Sequence, residues 1–343
     1  MLEPNIKVIA KRFRTFATEE CRGSSELYAH LSLRVSETDD ILTLATYTRE
    51  GQPIPNLLFG AVHYLLLKGY DHPLQDFYPS LIDQPRDVEA AFPYFKDFCQ
   101  QFAGDIIPIL KNRCVQTNEV SRCAYLYPVF SHLYDQVKKP LALIEIGTSA
   151  GLQLLWDQYR YSYGTHDVYG HKQSNVHIES RIHGDNKPKL PHHMPTVASR
   201  VGVDLNILDL ETEEDALWLK ALIWPEHQYR RALIEKAASC VKAHPLTLVE
   251  GDGVALLPNL VKQIPKEHCI CVFHTHVANQ MSQAVKERLL EHVRQIGEKR
   301  DIGHLYNNIQ DRDLHLDYYV NGEAFTKVVG RTDGHGRWFT WGI

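Results

Sequence analysis

The chain has 343 residues, 44% of them apolar, with a formal charge of −5 and a pI near 6.4. That length supplies two domains or one large elaborated one, and the weakly acidic balance gives no general attraction to nucleic acid or to an anionic membrane. The strongest apolar run, Leu57 to Leu67, is broken by Gly60 and His63 and is too short to cross a bilayer, so it predicts a buried helix.

From Ile6 to about Lys139 apolar residues recur three and four apart, which predicts helices over Ile6–Phe16, Leu57–Leu67, Val88–Phe102 and Ala124–Val137. The opening Met1-Leu-Glu-Pro-Asn lacks the basic-then-apolar order of a secretory signal, and seven scattered cysteines suit reduced thiols, so a cytoplasmic protein is expected. Lys138-Lys-Pro140 punctuates the chain. The expected organisation is a helical domain over 1–139, a possible substrate cap, followed by an α/β domain over 140–343. In that second part strand and helix alternate, as a doubly wound parallel sheet requires. Core strands are expected at 141–146, 200–204, 246–250, 269–275 and 302–307, with helices near 150–159, 212–222, 228–243, 254–263 and 281–298. Residues 160–199 are too long for an ordinary connection and read as an excursion over a sheet edge. The tail holds β-rich runs at Leu314–Val320, Ala324–Val329 and Arg337–Trp341, separated by the hairpin signals Asn321-Gly322 and Asp333-Gly334.

The most informative stretch is Leu141-Ala-Leu-Ile-Glu-Ile-Gly-Thr-Ser-Ala-Gly-Leu152, an apolar strand that ends in a turn of small residues. Such a turn lets a ligand approach the backbone, with Glu145, Gly147, Thr148, Ser149 and Gly151 as its contacts. Read as Glu145-x-Gly147-x-Ser149-x-Gly151, it resembles the first motif of S-adenosylmethionine-dependent methyltransferases, with Ser149 where a glycine is usual. Read as Gly147-x-Ser149-x-Gly151, it is a serine-hydrolase elbow, with Asp252 as orienting acid and His304 or His335 as base. Glu145 favours the first, because a carboxylate inside an apolar strand needs a loop or a ligand to satisfy it.

Asp204 closes an apolar run ahead of Asn206 and is placed to meet a ribose, with Glu179 as its rival. Glu250 or Asp252, after the next strand, would receive an adenine amino group, unless Asp252 only caps the helix that follows. Cys269-Ile-Cys-Val-Phe-His274-Thr-His276 has metal-site composition, but on one extended strand the two cysteines face one side and the two histidines the other, so no metal is expected. His274 and His276, with Asn279 a turn further on, are candidates to orient or deprotonate a substrate. In the helical half Asn118, Glu119 and Arg122 form a polar cluster, either a helix start capped by Thr117 or Asn118 or a substrate-binding group opposite the glycine turn. Trp224-Pro-Glu226-His227 reads as a packing corner.

Together Asn56-Leu-Leu-Phe-Gly-Ala-Val-His63, Gln116-Thr-Asn-Glu-Val-Ser-Arg122, Glu145-Ile-Gly-Thr-Ser-Ala-Gly-Leu152, Val203-Asp-Leu-Asn206 and Ala221-Leu-Ile-Trp-Pro-Glu226 resemble a bacterial family, domain of unknown function 2332. The resemblance implies a Rossmann-like core similar to that of S-adenosylmethionine-dependent methyltransferases and names no reaction. The leading expectation is a methyltransferase for an unidentified small molecule. The alternatives are a serine hydrolase using Ser149 and a ligand-binding protein without catalysis.

Overall fold

The computed structural model describes residues 3–116, 118–191 and 194–343; Thr117, weighed above as a cap, lies outside them. By contacts the chain forms two units, one of Met1–Thr117 with Glu211–Ala232 and one of Asn118–Leu210 with Leu233–Ile343. No described helix is long and apolar enough to cross a membrane.

The second unit is α/β. Its main sheet contains β1 (Leu141–Ile146), β2 (Val197–Asp204), β3 (Thr247–Glu250), β4 (Cys269–Phe273), β5 (Ile302–Tyr306), β6 (Leu314–Val320) and β7 (Glu323–Gly330). The order across the sheet is β7-β6-β5-β4-β1-β2-β3, and the first five strands in sequence are mutually parallel. From the other edge this is 3-2-1-4-5-6-7, whose first six places follow the order of dinucleotide-binding sheets, in which ligands lie where the chain reverses direction across the sheet, beyond the carboxyl ends of the first and fourth strands. β6 runs antiparallel to both neighbours, and Asn321 and Gly322, with φ of 53° and 82°, form the two-residue turn into β7.

Every residue of β1 is buried, as a central strand covered on both faces demands. On one face Ala142, Ile144 and Ile146 join Ile270 and Val272 in a core with Val254, Leu257 and Val261 of the helix Gly253–Lys262 and Leu289 and Val293 of the helix Gln283–Gly297. On the other, Phe130 of the helix Cys123–Val137 stands edge-on to Phe273 at 5.2 Å and stacks on Trp156 at 4.9 Å. That helix, read from sequence as part of the helical half, belongs to the α/β unit.

Two sequence expectations need correction. The helix expected near 150–159 is a 3-10 segment, Leu152–Gln158, kinked at Leu155. Its carbonyls are taken by side chains: Tyr159 Oη donates to Leu152, Arg200 Nε to Leu154, and Tyr161 Oη to Trp156. With Leu152, Leu154, Leu155 and Trp156 all fully buried, the segment has no solvated face to favour a regular helix. Asp333-Gly334 turns the chain back as its hairpin signal predicts: Asp333 N donates to Trp338 O at 2.9 Å, Thr340 N to Arg331 O at 2.8 Å and Gly342 N to Val329 O at 2.7 Å, with Thr332 bridged antiparallel to Phe339. Asp333 is closed on Arg337 by paired bonds of 2.9 and 2.8 Å, and Trp338–Thr340 also pairs in parallel with Arg181–His183 of the excursion. The fourth core strand stops at Phe273, two residues before its expected end, because His276 takes a left-handed conformation.

The first unit is helical, apart from the loops between its helices. Beyond the expected helices it has Glu26–Val35, Asp39–Ala45 and Ala103–Asn112. The ring of Tyr28 stacks on Phe59 at 4.5 Å, and Trp224 meets Phe16 edge-on at 5.4 Å. The corner at Trp224 packs, as read, and also caps: Glu226 accepts from Leu27 N at 3.0 Å and from Ser25 Oγ at 2.8 Å, completing the start of the helix Glu26–Val35.

Candidate functional site

The turn after β1 alternates its backbone sign, with φ of 77° at Gly147, 53° at Ser149 and 79° at Gly151. Its amides are taken by protein acceptors. Gly147 N and Thr148 N donate to Val203 O at 2.8 and 3.2 Å, Ser149 N to Asp204 Oδ2 at 2.8 Å, and Gly151 N to Thr148 O at 2.9 Å. A Cβ on Gly147 would lie 2.5 Å from Val277 Cγ2, and one on Gly151 2.5 Å from Leu246 Cδ1, so both glycines are required by conformation and by packing.

Glu145 is satisfied from within. Thr148 Oγ1 donates to its Oε2 at 2.6 Å, and Gly202, opposite Glu145 on β2, leaves the room for Thr148, since a Cβ there would lie 2.6 Å from Thr148 Oγ1. Burial drives the Glu145 pKa up to about 8, so the group is protonated at neutral pH. Asp204, at the carboxyl end of β2 and hence beside the turn, accepts from Ser149 N and, at 3.0 Å, from Asn206 N; its pKa is raised by burial. Glu250 stands opposite Asp204 on β3 and is exposed. Asp252 is a cap, accepting from Val254 N and Ala255 N at 2.9 and 3.2 Å, with Arg288 3.4 Å away. Glu179 ends a strand of a separate three-stranded sheet and is exposed.

At the carboxyl ends of β1 and β4 the polar cluster of the sequence meets the loop after β4. Asn118 Nδ2 donates to Thr148 O at 2.7 Å, and Gln153 Nε2 donates to Glu119 O at 3.3 Å. The Glu119 carboxylate accepts from Ser121 N and lies 3.3 Å from Nδ1 of His335. Arg122, 8% exposed, donates from Nε to Gly334 O at 2.9 Å and from Nη1 to Thr275 Oγ1 at 3.1 Å; Thr275 in turn donates to Gln153 Oε1. Gln153 and Thr275 were not singled out from sequence, and the 333–337 loop only as a hairpin signal and, in His335, an alternative base, because their partners are far along the chain.

His276 N donates to Asn307 Oδ1 at 2.7 Å, and the ring lies within 3.4 Å of the Asn307 and Asn308 amide nitrogens. Burial, with Arg122 adding to it, lowers its pKa to about 4. His274 is fully buried with Nε2 3.4 Å from His304 Nε2, and burial lowers its pKa to about 3. Asn279 is exposed on the short segment Val277–Gln280 and does not join the group. Two polar atoms at the turn are buried without a partner, Ser149 Oγ and Asn118 Oδ1. Among the described residues no Ser-His-Asp arrangement forms on Ser149: Asp252 caps a helix, His304 pairs with His274 and His335 stands beside Glu119. Among the described residues no three His, Cys, Asp or Glu side chains are placed to hold a metal ion.

Histidines held neutral carry a pH signature. For His274, His276 and His304 the folded pKa lies below the ordinary 6.5, so the stability they contribute is present above that pH and lost as pH falls toward their folded values. Thermal unfolding should show stability dropping steeply from pH 6.5 to 4; a flat profile over that window would contradict their burial as neutral rings.

The model of a family described as "Uncharacterized protein conserved in bacteria (DUF2332)" matches residues 10–341. No curated protein and no solved structure matches the chain.

Proposed function

This chain belongs to the DUF2332 family, and from that premise we propose that it is a methyltransferase that binds S-adenosylmethionine and acts on a small molecule. The observation that carries the reading is the sheet order, which puts the glycine turn of β1 and the acid of β2, Asp204, side by side at the point where nucleoside ligands bind in such sheets. The residues there fit such a cofactor. Ser149 Oγ and Asn118 Oδ1 are buried polar atoms whose hydrogen bonds a bound molecule would complete, and a carboxylate such as Asp204 has lone pairs enough to accept ribose hydroxyls beside its two amides.

The cofactor supplies a sulfonium methyl group. What this chain supplies is position: Asn118 and Ser149 fix the ligand against the turn, and the loop after β4 holds the acceptor. With a pKa near 4, His276 is neutral at physiological pH and too weak a base to drive proton removal, and with its ring nitrogens held by the Asn307 and Asn308 amides it shapes the loop that holds the acceptor. Calorimetry with S-adenosylhomocysteine should give saturable binding, weakened at least tenfold, about 1.4 kcal/mol, in Asp204→Asn, which exchanges an acceptor for a donor. Absence of saturable heat at millimolar ligand would remove the cofactor from the reading.

A further inference from the structure

Arg122 is a buried cation without a counter-ion. Its guanidinium meets two uncharged groups, Gly334 O through Nε and Thr275 through Nη1; Nη2 bonds no described residue and is not sealed from solvent, and no carboxylate lies within ion-pair distance among the described residues. Nearby acids are otherwise engaged. Asp333 is held by both arms of the Arg337 fork, Glu119 faces His335, and Glu145 is tied to Thr148 in a site whose burial keeps it protonated at neutral pH. A guanidinium taken out of water costs several kcal/mol unless it is paired, and its planar fork matches a carboxylate or phosphate. The unpartnered Ser149 Oγ and Asn118 Oδ1 belong to the same group of side chains, Asn118 through its bond to Thr148 O and Arg122 through Thr275 and Gln153.

We infer that Arg122 anchors an oxyanion, a carboxylate or phosphate carried by the small molecule bound at the ends of β1 and β4. The inference rests on the proposed reading of that group of side chains as a ligand site and adds the charge of what it binds. Two sources of the anion are compatible with this chemistry: the methyl acceptor, or the carboxylate of the cofactor's own methionyl group.

The test uses the full chain, inorganic phosphate and acetate, at ionic strength held constant with chloride so that screening does not vary. The wild type should gain several degrees in thermal midpoint on adding millimolar phosphate or acetate, and Arg122→Met should gain nothing. Without added anion, Arg122→Met loses the bonds to Gly334 O and Thr275 Oγ1 whatever the role of the arginine, so the response to anion, and not the resting stability, carries the decision. Should the variant fail to fold, saturable broadening of the phosphate signal by phosphorus NMR on the wild type, reversed by acetate, provides the same decision without a substitution. Equal responses of wild type and Arg122→Met, or no response of the wild type to either anion, would overturn the inference. Repeating the titration in saturating S-adenosylhomocysteine separates the sources: a surviving phosphate response assigns the anion to the acceptor, and a lost one assigns it to the cofactor. A phosphate response in a protein that does not bind S-adenosylhomocysteine supports the oxyanion site while overturning the cofactor, and the reverse pattern overturns only the oxyanion site.

Discussion

Glu145→Gln should leave stability unchanged near pH 4.5 and raise it progressively above that, by a few kcal/mol at pH 8. In the unfolded chain the carboxyl titrates near 4.5, whereas burial moves the folded value up to about 8. Between those values the folded state holds a proton that the unfolded state has released, so stability falls as pH rises, by about 1.4 kcal/mol per pH unit at most. A carboxamide has the same acceptor for Thr148 Oγ1 and a donor of its own, but no charge to desolvate. The difference between variant and wild type isolates this one group from the histidines, whose effect runs the other way, toward acid. Chemical unfolding at a series of pH values measures it. A difference that does not change between pH 4.5 and 8 would mean that Glu145 is charged in the fold and that its charge is compensated by something other than Thr148.

That result would also show how a motif is legible for the wrong reason. The acid-glycine pattern of 145–151 marks a real turn at the switch point of the sheet, yet the acid faces Thr148, and the two glycines make way for Val277 and Leu246. A Gly147→Val substitution therefore disturbs the fold before it tests any ligand. Local periodicity was sufficient for the parallel strands and for the Asn321-Gly322 turn, because strand burial and a two-residue turn are decided by residues close in sequence. It was insufficient for the segment after Gly151, where Tyr159, Tyr161 and Arg200 compete for the carbonyls. The same limit applies to the site. Asn118 and Thr148 are joined directly, but Arg122 is fixed by Gly334, 212 residues away, and no spacing rule connects them. Asp252 and Asn279 were drawn in by type and position; one completes a helix start and the other faces outward.

The 333–337 loop and the Val120–Arg122 segment meet backbone against backbone, and Gly336→Ala should therefore be the most damaging single-methyl change near Arg122. Gly336 has a φ of 72°, and a Cβ there would lie 2.2 Å from Ser121 O and 2.8 Å from Arg122 N, both rigid backbone atoms beside the proposed anchor. Neither the 333–337 loop, tied by Asp333 and Arg337, nor the 3-10 segment Val120–Arg122, capped by Glu119, has slack to absorb the methyl. The positive φ costs about 1–2 kcal/mol for an alanine, and overpacking against backbone adds roughly 1–3 kcal/mol. Separation of the two segments would also strain the bond from Ser180 Oγ to Gly336 O and the one from Arg122 Nε to Gly334 O, so binding of phosphate at Arg122 should fall together with stability. Two residues earlier in the same loop, a methyl on Gly334 would meet no atom within 4 Å and the backbone there has no positive φ, so Gly334→Ala should stay within about 0.5 kcal/mol of wild type. Denaturant unfolding of the pair decides the matter: equal stabilities would show that the loop is not pressed against Ser121, and the anchor of Arg122 on Gly334 would lose its structural basis.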